Sequence, residues 1–360
     1  MEVSSDKEPI VDHASLEAYV AAIYEAVGLS ADHAALMASI QVEADLRGVH
    51  THGIAMTPMY IGRLLDPEGI DPRGTPRVVH SAAAIEIVDA DNAMGHIAAH
   101  FAMGRAIERA RETNIAAVAV RHSNHCGAMA YYPMMALEHD MIGIATTGAL
   151  PSMAPWGGID QVIGNNPLAA AIPALEEEPI VVDVAFQNTF PAKIELWRER
   201  GWPLPDDWSL GVDGRPTTDY DAALAGWGQP SGKYKGVAMA LFTGTLSALL
   251  SGAAWGKELG QQLPEPRPYP GHDGHFFMAI NIAAFEDTVR FKQRVDGIVR
   301  EFHSSRLADG GDAVRLPGER AATVAARRRD EGIPLPAQAV ARLAAVAERV
   351  GVSGDIPARA

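Results

Sequence analysis

A single cysteine, Cys126, stands among the 360 residues. One thiol cannot close a disulfide within the chain, so an oxidising compartment gains no support. Long apolar runs are missing too. No stretch reaches the roughly 18–20 uninterrupted residues that span a bilayer. The longest candidate, Gly236 to Trp255, is broken by Thr, Ser and three glycines and reads as a buried helix. Met1 to Ile10 carries acidic residues and no apolar core, unlike a secretory leader. Basic charge is scarce: 30 Lys and Arg against 45 Asp and Glu give a net charge of −15. That leaves no basic face for nucleic acid. The one local cluster, Arg327 to Arg329, is followed by Asp330 and Glu331 and reads as a solvated helix face. These absences predict a soluble, cytoplasmic protein without nucleic-acid or membrane partners.

Three signatures of chemistry are also missing. No G-x-G-x-x-G follows a strand, so the Rossmann fingerprint is absent. Gly252 to Lys257 imitates a phosphate-binding loop but is one residue short, with Glu258 where Ser or Thr belongs. H-E-x-x-H does not occur.

What is present is an ordinary globular composition, 48% hydrophobic and 21% charged. A single core rarely grows past roughly 250–300 residues, so this length predicts more than one core. Leu16, Tyr19, Val20, Ile23 and Val27 share one helix face. Ser30 caps a second helix carrying Met37, Ile40 and Ala44, which Gly48 ends, and a third lies around 55–65. Pro67, Pro72 and Pro76 mark an irregular link. Strand-like runs at 84–88, 116–120 and 142–146 alternate with helical patterns at 98–111 and 128–138, which argues for an α/β layer. The runs 168–172 and 180–184 are too close for a helical crossover, so the sheet is mixed. Residues 201–230 read as a surface excursion, 236–250 as a long helix, 275–281 as a strand, and 285–302 and 337–350 as helices.

Histidine carries the chemistry. His50-Thr51-His52-Gly53 sits at a helix-to-helix turn, and Arg121-His122-Ser123-Asn124-His125-Cys126-Gly127 joins a strand to a helix. A side chain with a pKa near 6.5 suits proton transfer at neutral pH, and a junction held by rigid elements is where such groups are placed. The same histidines can equally cap helices or bond backbone. His50 and His52 also have the spacing of two metal ligands, with Glu43 and Asp45 near in sequence, although nothing in the sequence makes these converge. Asp183 interrupts the apolar run 180–184, so a buried carboxylate there needs a partner or a shifted pKa. Lys233-Tyr234-Lys235 opens the long helix, where an anion or plain solvent can sit.

Seven ordered segments together resemble the malate/L-lactate dehydrogenase family, which also includes ureidoglycolate and sulfolactate dehydrogenases, diketogulonate reductase and cyclic imino-acid reductases. They are residues 44–53, 121–127, Ala154-Pro-Trp-Gly-Gly158, Gly164-Asn-Asn-Pro167, 233–236, His275-Phe-Phe-Met-Ala-Ile280 and Leu316-Pro-Gly-Glu319. The resemblance implies a non-Rossmann α/β fold of sulfolactate-dehydrogenase type, with a mixed sheet, flanking helices and a helical part from both chain ends. The division expected is 1–76 with 300–360, and 77–299 as the cofactor- and substrate-binding region. The resemblance further implies NADH or NADPH, a homodimer, and no metal. It makes His52 the acid/base, with Thr51 beside it, matches His125 to a second histidine that has the acid/base role in the ureidoglycolate branch, and brings substrate to Met56, Asn124 and Thr147. It sets the cofactor against His125, Val182, Asp183, Val184, Tyr234, Lys235, Gly318 and Glu319. Two departures matter. Met56 stands where the family carries an arginine for the substrate carboxylate, and methionine has no donor for that clamp. Phe186-Gln187 replaces a common Thr-Ser. Arg47 and Arg121 are the candidates to replace the clamp. The implied reaction is hydride transfer between a nicotinamide and a 2-oxo/2-hydroxy acid type of compound, with a cyclic imine or imino acid as alternative. A metal-dependent hydrolase on His50 and His52, or a cofactor-binding protein without turnover, are the alternatives of other classes.

Overall fold

A computed structural model describes residues 8–259, 271–354 and 356. The two chain ends meet first: β1 (Ile10–Val11) pairs antiparallel with β12 (Ile333–Pro334). Helices α1 (His13–Ala26) and α2 (Ala31–Leu46) start at Asp12 and Ser30, whose side chains accept hydrogen bonds from Ser15 N and His33 N. Ser30 is therefore the cap expected from the sequence. The third helix is shorter than expected: α3 (Thr57–Leu64) follows a 3₁₀ turn, Ile54–Met56. Leu16, Val20, Ile23, Met37, Tyr60 and Ile61 form one core with Ala325, Ile333, Leu343 and Ala347 from the other end of the chain.

The main sheet has seven strands in the order β2-β3-β4-β11-β5-β6-β7. They are β2 (Arg77–Ala82), β3 (Ile85–Asp89), β4 (Ile115–Ser123), β5 (Met141–Thr147), β6 (Leu168–Ile172), β7 (Ile180–Val184) and β11 (Asp273–Asn281). Only β3 and β4 pair in parallel, joined over the top by α4 (Gly95–Thr113). The sheet is mixed, as expected. Edge strand β2 escapes the sequence pattern because its residues are nearly all exposed and show no apolar alternation. The helix expected over 128–138 is only one turn, α5 (Tyr131–Met134), followed by a 3₁₀ turn at Leu137–His139.

The excursion at 201–230 is a small unit of its own. Strands β8 (Ser209–Leu210), β9 (Pro216–Thr217) and β10 (Trp227–Gly228) form a three-stranded sheet. Helices α6 (Pro191–Glu199) and α7 (Tyr220–Ala225) share with it a cluster of Ile194, Leu204 and Ala223. Helix α8 (Tyr234–Gly244) then passes into a π-turn, Thr245–Leu249. The sequence suggested a buried helix here, yet one face is open: Leu241, Phe242, Leu249 and Leu250 are about half exposed. The chain closes with α9 (Thr288–His303), α10 (Glu319–Glu331) and α11 (Ala337–Arg349). No described helix is long and apolar enough to cross a membrane.

Candidate active site

The turn after α2 is drawn tight by Asp45. Its buried carboxylate accepts from Ile54 N at 2.8 Å and from His50 Nδ1 at 2.6 Å. Gly53 lies against that carboxylate so closely that a Cβ would overlap it. Arg328 of α10 completes the knot by donating to His50 Nε2 at 3.0 Å and to the Asp45 carbonyl. Two expectations change here. Arg328 is buried, not part of a solvated face. His50 has both ring nitrogens engaged, one by an arginine cation, so it is not available as a metal ligand. Among the described residues no group of three or more His, Cys, Asp or Glu side chains is gathered for a metal.

His52 is left open by the same turn. Its Nδ1 lies 3.0 Å from Thr51 Oγ1, and its Nε2 has no partner among the described residues and is not sealed from solvent. Burial of the ring pushes its pKa below the usual value. Facing it, at 6.0 Å between ring centroids, is His125 from the end of β4, with Phe190 edge-on at 6.5 Å. His125 Nδ1 lies 2.6 Å from Tyr60 Oη, and its Nε2 is likewise open and unpartnered. The two histidine clusters therefore converge on one space between the helical core and the sheet.

Behind this pair lie groups to which the sequence reading assigned no role. His96 of α4 is fully buried, packs edge-on to Tyr60 at 5.0 Å, and is pushed down to about 3 by desolvation and the nearby histidines. His275 of β11 lies 2.7 Å from Thr147 Oγ1 and 2.8 Å from Ser123 Oγ, and burial pushes it down to about 4. Burial pushes the Asp273 carboxyl up to about 7, against the pull of Arg63. Tyr60 and His125 are 65 residues apart, so no local pattern announces the pair.

Of the expected substrate residues, Met56 lies partly buried beside His52 in sequence and packs on the helical core. Thr147 reaches the group through His275. Asn124 is spent inside the protein: its amide nitrogen donates to Asn92 Oδ1 at 3.0 Å and Ala93 O at 2.9 Å, and its oxygen accepts from Gly271 N. Of the two candidate arginines, Arg47 lies near Asp183, while Arg121 lies 3.9 Å from Asp89.

Apart from His125, the expected cofactor residues lie on or near edge strand β7. Val181 N donates to Pro317 O at 3.1 Å, and Gly318, at φ +94°, leaves no room for a side chain: a Cβ would stand 2.8 Å from that of Val181. On the other side, Ser231 N donates to Phe186 O at 2.9 Å and so brings the start of α8, with exposed Tyr234 and Lys235, to the end of β7. Asp183 differs from the buried carboxylate expected. Solvent reaches it, yet desolvation pushes its carboxyl up to about 6, against the Ala130 N–H that donates to it and the charge of Arg47. Glu319 is turned inward, accepting from Leu316 N at 2.9 Å and pairing with His303 at 2.8 Å. Phe186 and Gln187 are buried, and Gln187 accepts from Ser152 Oγ at 2.6 Å.

Residues 11–344 match the family model described as malate/L-lactate dehydrogenase. The chain belongs to that family. It is 32% identical to a malate dehydrogenase of Pyrococcus abyssi, over 94% of both chains. It is 32% identical to a (2R)-3-sulfolactate dehydrogenase (NADP(+)) of Chromohalobacter salexigens, over 92% of this chain and 96% of the other. A ureidoglycolate dehydrogenase (NAD(+)) of Escherichia coli is 30% identical, over 81% and 82%. Among solved structures, sulfolactate dehydrogenase from Methanocaldococcus jannaschii superposes with a TM-score of 0.87 at 29% identity, over 96% of this chain and 98% of that one. A Δ1-piperideine-2-carboxylate reductase from Pseudomonas syringae superposes at 0.83 with 27% identity, over 94% and 99%. The fold is thus the non-Rossmann one of this family, and the chain is an NAD(P)-dependent oxidoreductase.

Proposed function

We propose that the space between His52 and His125 is where a small carbonyl or imine compound is reduced, or the corresponding hydroxy or amino compound oxidised. The observation that carries this reading is that the two rings lie 6.0 Å apart and that, among the described residues, each leaves its Nε2 unpartnered and not sealed from solvent. His52 moves the proton at the reacting oxygen or nitrogen, and Thr51 holds its other ring nitrogen. His125 and, through His275, Thr147 orient the substrate; Asn124 holds the loop from within.

NADH or NADPH supplies or accepts the hydride when bound. The rim of β7 fits such a group. Val182 to Val184, the glycine turn at Gly318 and Lys235 border one edge, with a carboxyl at Asp183 for hydroxyl or amide hydrogens and a lysine at a helix start for phosphate. Glu319 shapes the turn from behind.

Met56 offers the substrate an apolar surface where a two-pronged donor would bind a carboxylate. Leaving a carboxylate unpaired in such a place costs several kcal/mol, so the reading favours a bulkier or less charged carbonyl or cyclic imine over a small 2-oxo acid. The test follows absorbance of NADH and NADPH with 2-oxo acids, cyclic imines and ketones, for wild type and Met56→Arg. The variant is expected to gain on pyruvate. Efficient pyruvate or oxaloacetate reduction by the wild type overturns the reading of Met56, and cofactor binding with no turnover on any class overturns the reaction.

The open apolar face of α8 supports a homodimer covering that face, and a lone, buried Cys126 supports a cytoplasmic location. The two larger cores support a division into 1–76 with 300–360 and 77–299, although Met94 and Ile97 pack into the first and Ile40 into the second.

A further inference from the structure

We propose that Tyr60 is a positioning residue that locks His125 in one tautomer, with the proton on Nε2, so that the ring presents a hydrogen-bond donor to the substrate. This deepens the reaction proposed above and rests on His125 facing the substrate there.

Among the described residues Tyr60 and His125 each make one side-chain hydrogen bond, and it is to each other. Tyr60 is fully buried in the helical core, and its hydroxyl lies 2.6 Å from His125 Nδ1. Among the described residues that hydroxyl has no second partner. The nearest ring besides His125, that of His96, packs edge-on and makes no hydrogen bond to it. A buried phenol proton left unbonded costs about 1–3 kcal/mol. Were Nδ1 to carry the proton, the phenol oxygen would accept it and its own proton would be stranded. With Nδ1 bare, the phenol donates and both groups are satisfied. Burial holds the phenol well above its ordinary pKa, so it keeps that proton. Burial and the neighbouring histidines hold His125 well below its ordinary value, so the ring is neutral. A neutral ring with an acceptor at Nδ1 must carry its hydrogen at Nε2. That is the nitrogen left without a protein partner among the described residues and not sealed from solvent.

The consequence is a division of labour. His125, fixed as a neutral donor, hydrogen-bonds the oxygen or nitrogen on which charge develops, as a preorganised donor should. It neither gains nor loses a proton. His52, whose Nδ1 faces a hydroxyl able to donate or accept, is free to titrate.

The test reads the tautomer and the turnover separately. In ¹⁵N-histidine-labelled protein, with His125 assigned by its loss in His125→Ala, the wild type should show a single neutral form protonated at Nε2. Tyr60→Phe removes only the hydroxyl. It should mix the two tautomers and lower kcat about 10-fold, short of the ~10²–10³-fold loss when such a donor is deleted. Cofactor Kd should stay the same. In a His125→Ala background, Tyr60→Phe should cost nothing further, which a merely structural tyrosine would not satisfy. An Nδ1-protonated wild type overturns the proposal, as does a Tyr60→Phe protein with unaltered tautomer. So does an equal loss in the His125→Ala background. The tautomer is measured without substrate, so a failure of the proposed reaction leaves that spectrum intact and is recognised as a separate failure.

Discussion

His50, Thr51, His125 and His275 each spend a ring nitrogen or hydroxyl on another side chain of the histidine pocket, whereas Val184, Tyr234 and Lys235 on the rim of β7 stand exposed. The first region is finished before any ligand arrives; the second offers surfaces for one. Groups fixed in advance act where charge develops, and so govern the chemical step. Open groups that meet a ligand part away from the reacting atoms govern how tightly it is held. The contrast assigns separate readouts: substitutions in the pocket should change kcat, and substitutions on the rim should change cofactor binding.

The largest effect expected is from His52→Ala. Its ring makes one hydrogen bond, to Thr51, and otherwise packs beside His125 and Phe190, so removal leaves the knot of Asp45, His50 and Arg328 in place. The variant should fold and bind reduced cofactor with nearly wild-type affinity, and lose about 10²–10⁴ in turnover. Stopped-flow or steady-state absorbance measures the one, fluorescence titration the other. Turnover within a few-fold of wild type would remove His52 from the chemistry; a large loss of cofactor affinity would erase the contrast between the two regions.

Lys235→Ala probes the opposite side. The lysine is exposed at the start of α8 and takes no part in the pocket. The cofactor Kd should rise about 2- to 5-fold, as fits a single exposed charge, and binding should become less sensitive to salt. kcat at saturating cofactor should hold. An unchanged titration would place the phosphates elsewhere.

The sequence made the elements legible where periodicity was strong and the partner was near. Strands β6 and β7 fall on the expected residues, and α2 starts at the expected cap, because apolar runs and capping chemistry are local signals. The two histidine turns were legible as candidates for the same reason. Their wiring was not. Asp45 is five residues from His50, but only the folded turn brings its carboxylate to the ring, and Arg328 arrives from 278 residues away. Tyr60 and His96 look like ordinary core residues on their helices, since burial among apolar neighbours is what their spacing encodes. The resemblance named residues but not their state: the polar atoms of Asn124 and Glu319 are engaged by the protein itself.

The smallest effect sharpens the comparison through acid stability. His52, His96, His125 and His275 all have folded pKa values below 6.5, with His96 near 3 and His275 near 4. Below pH 6.5 the unfolded chain therefore binds protons that the folded chain refuses, and stability falls as pH drops from about 6.5 toward 4. Asp183 and Asp273 act the other way. Raised to about 6 and about 7, they hold protons in the folded state that the unfolded chain releases above 3.8, so their contribution is lost as pH rises through those values. Burial also lowers His100 and raises Glu17, so five histidines outweigh three carboxyls and the net slope between pH 4.5 and 6 should be positive. His96→Phe isolates one histidine. Neither ring nitrogen of His96 has a protein partner among the described residues, so no bond is broken there, and the edge-on contact with Tyr60 can persist. Any packing cost shifts the whole curve without changing its slope. Urea unfolding at pH 4.5, 5.3 and 6 should show a slope lower than wild type by about one proton, or ~1.4 kcal/mol per pH unit. An unchanged slope would mean that His96 is already protonated in the folded protein, and that the pocket is wetter and less finished than its contacts indicate.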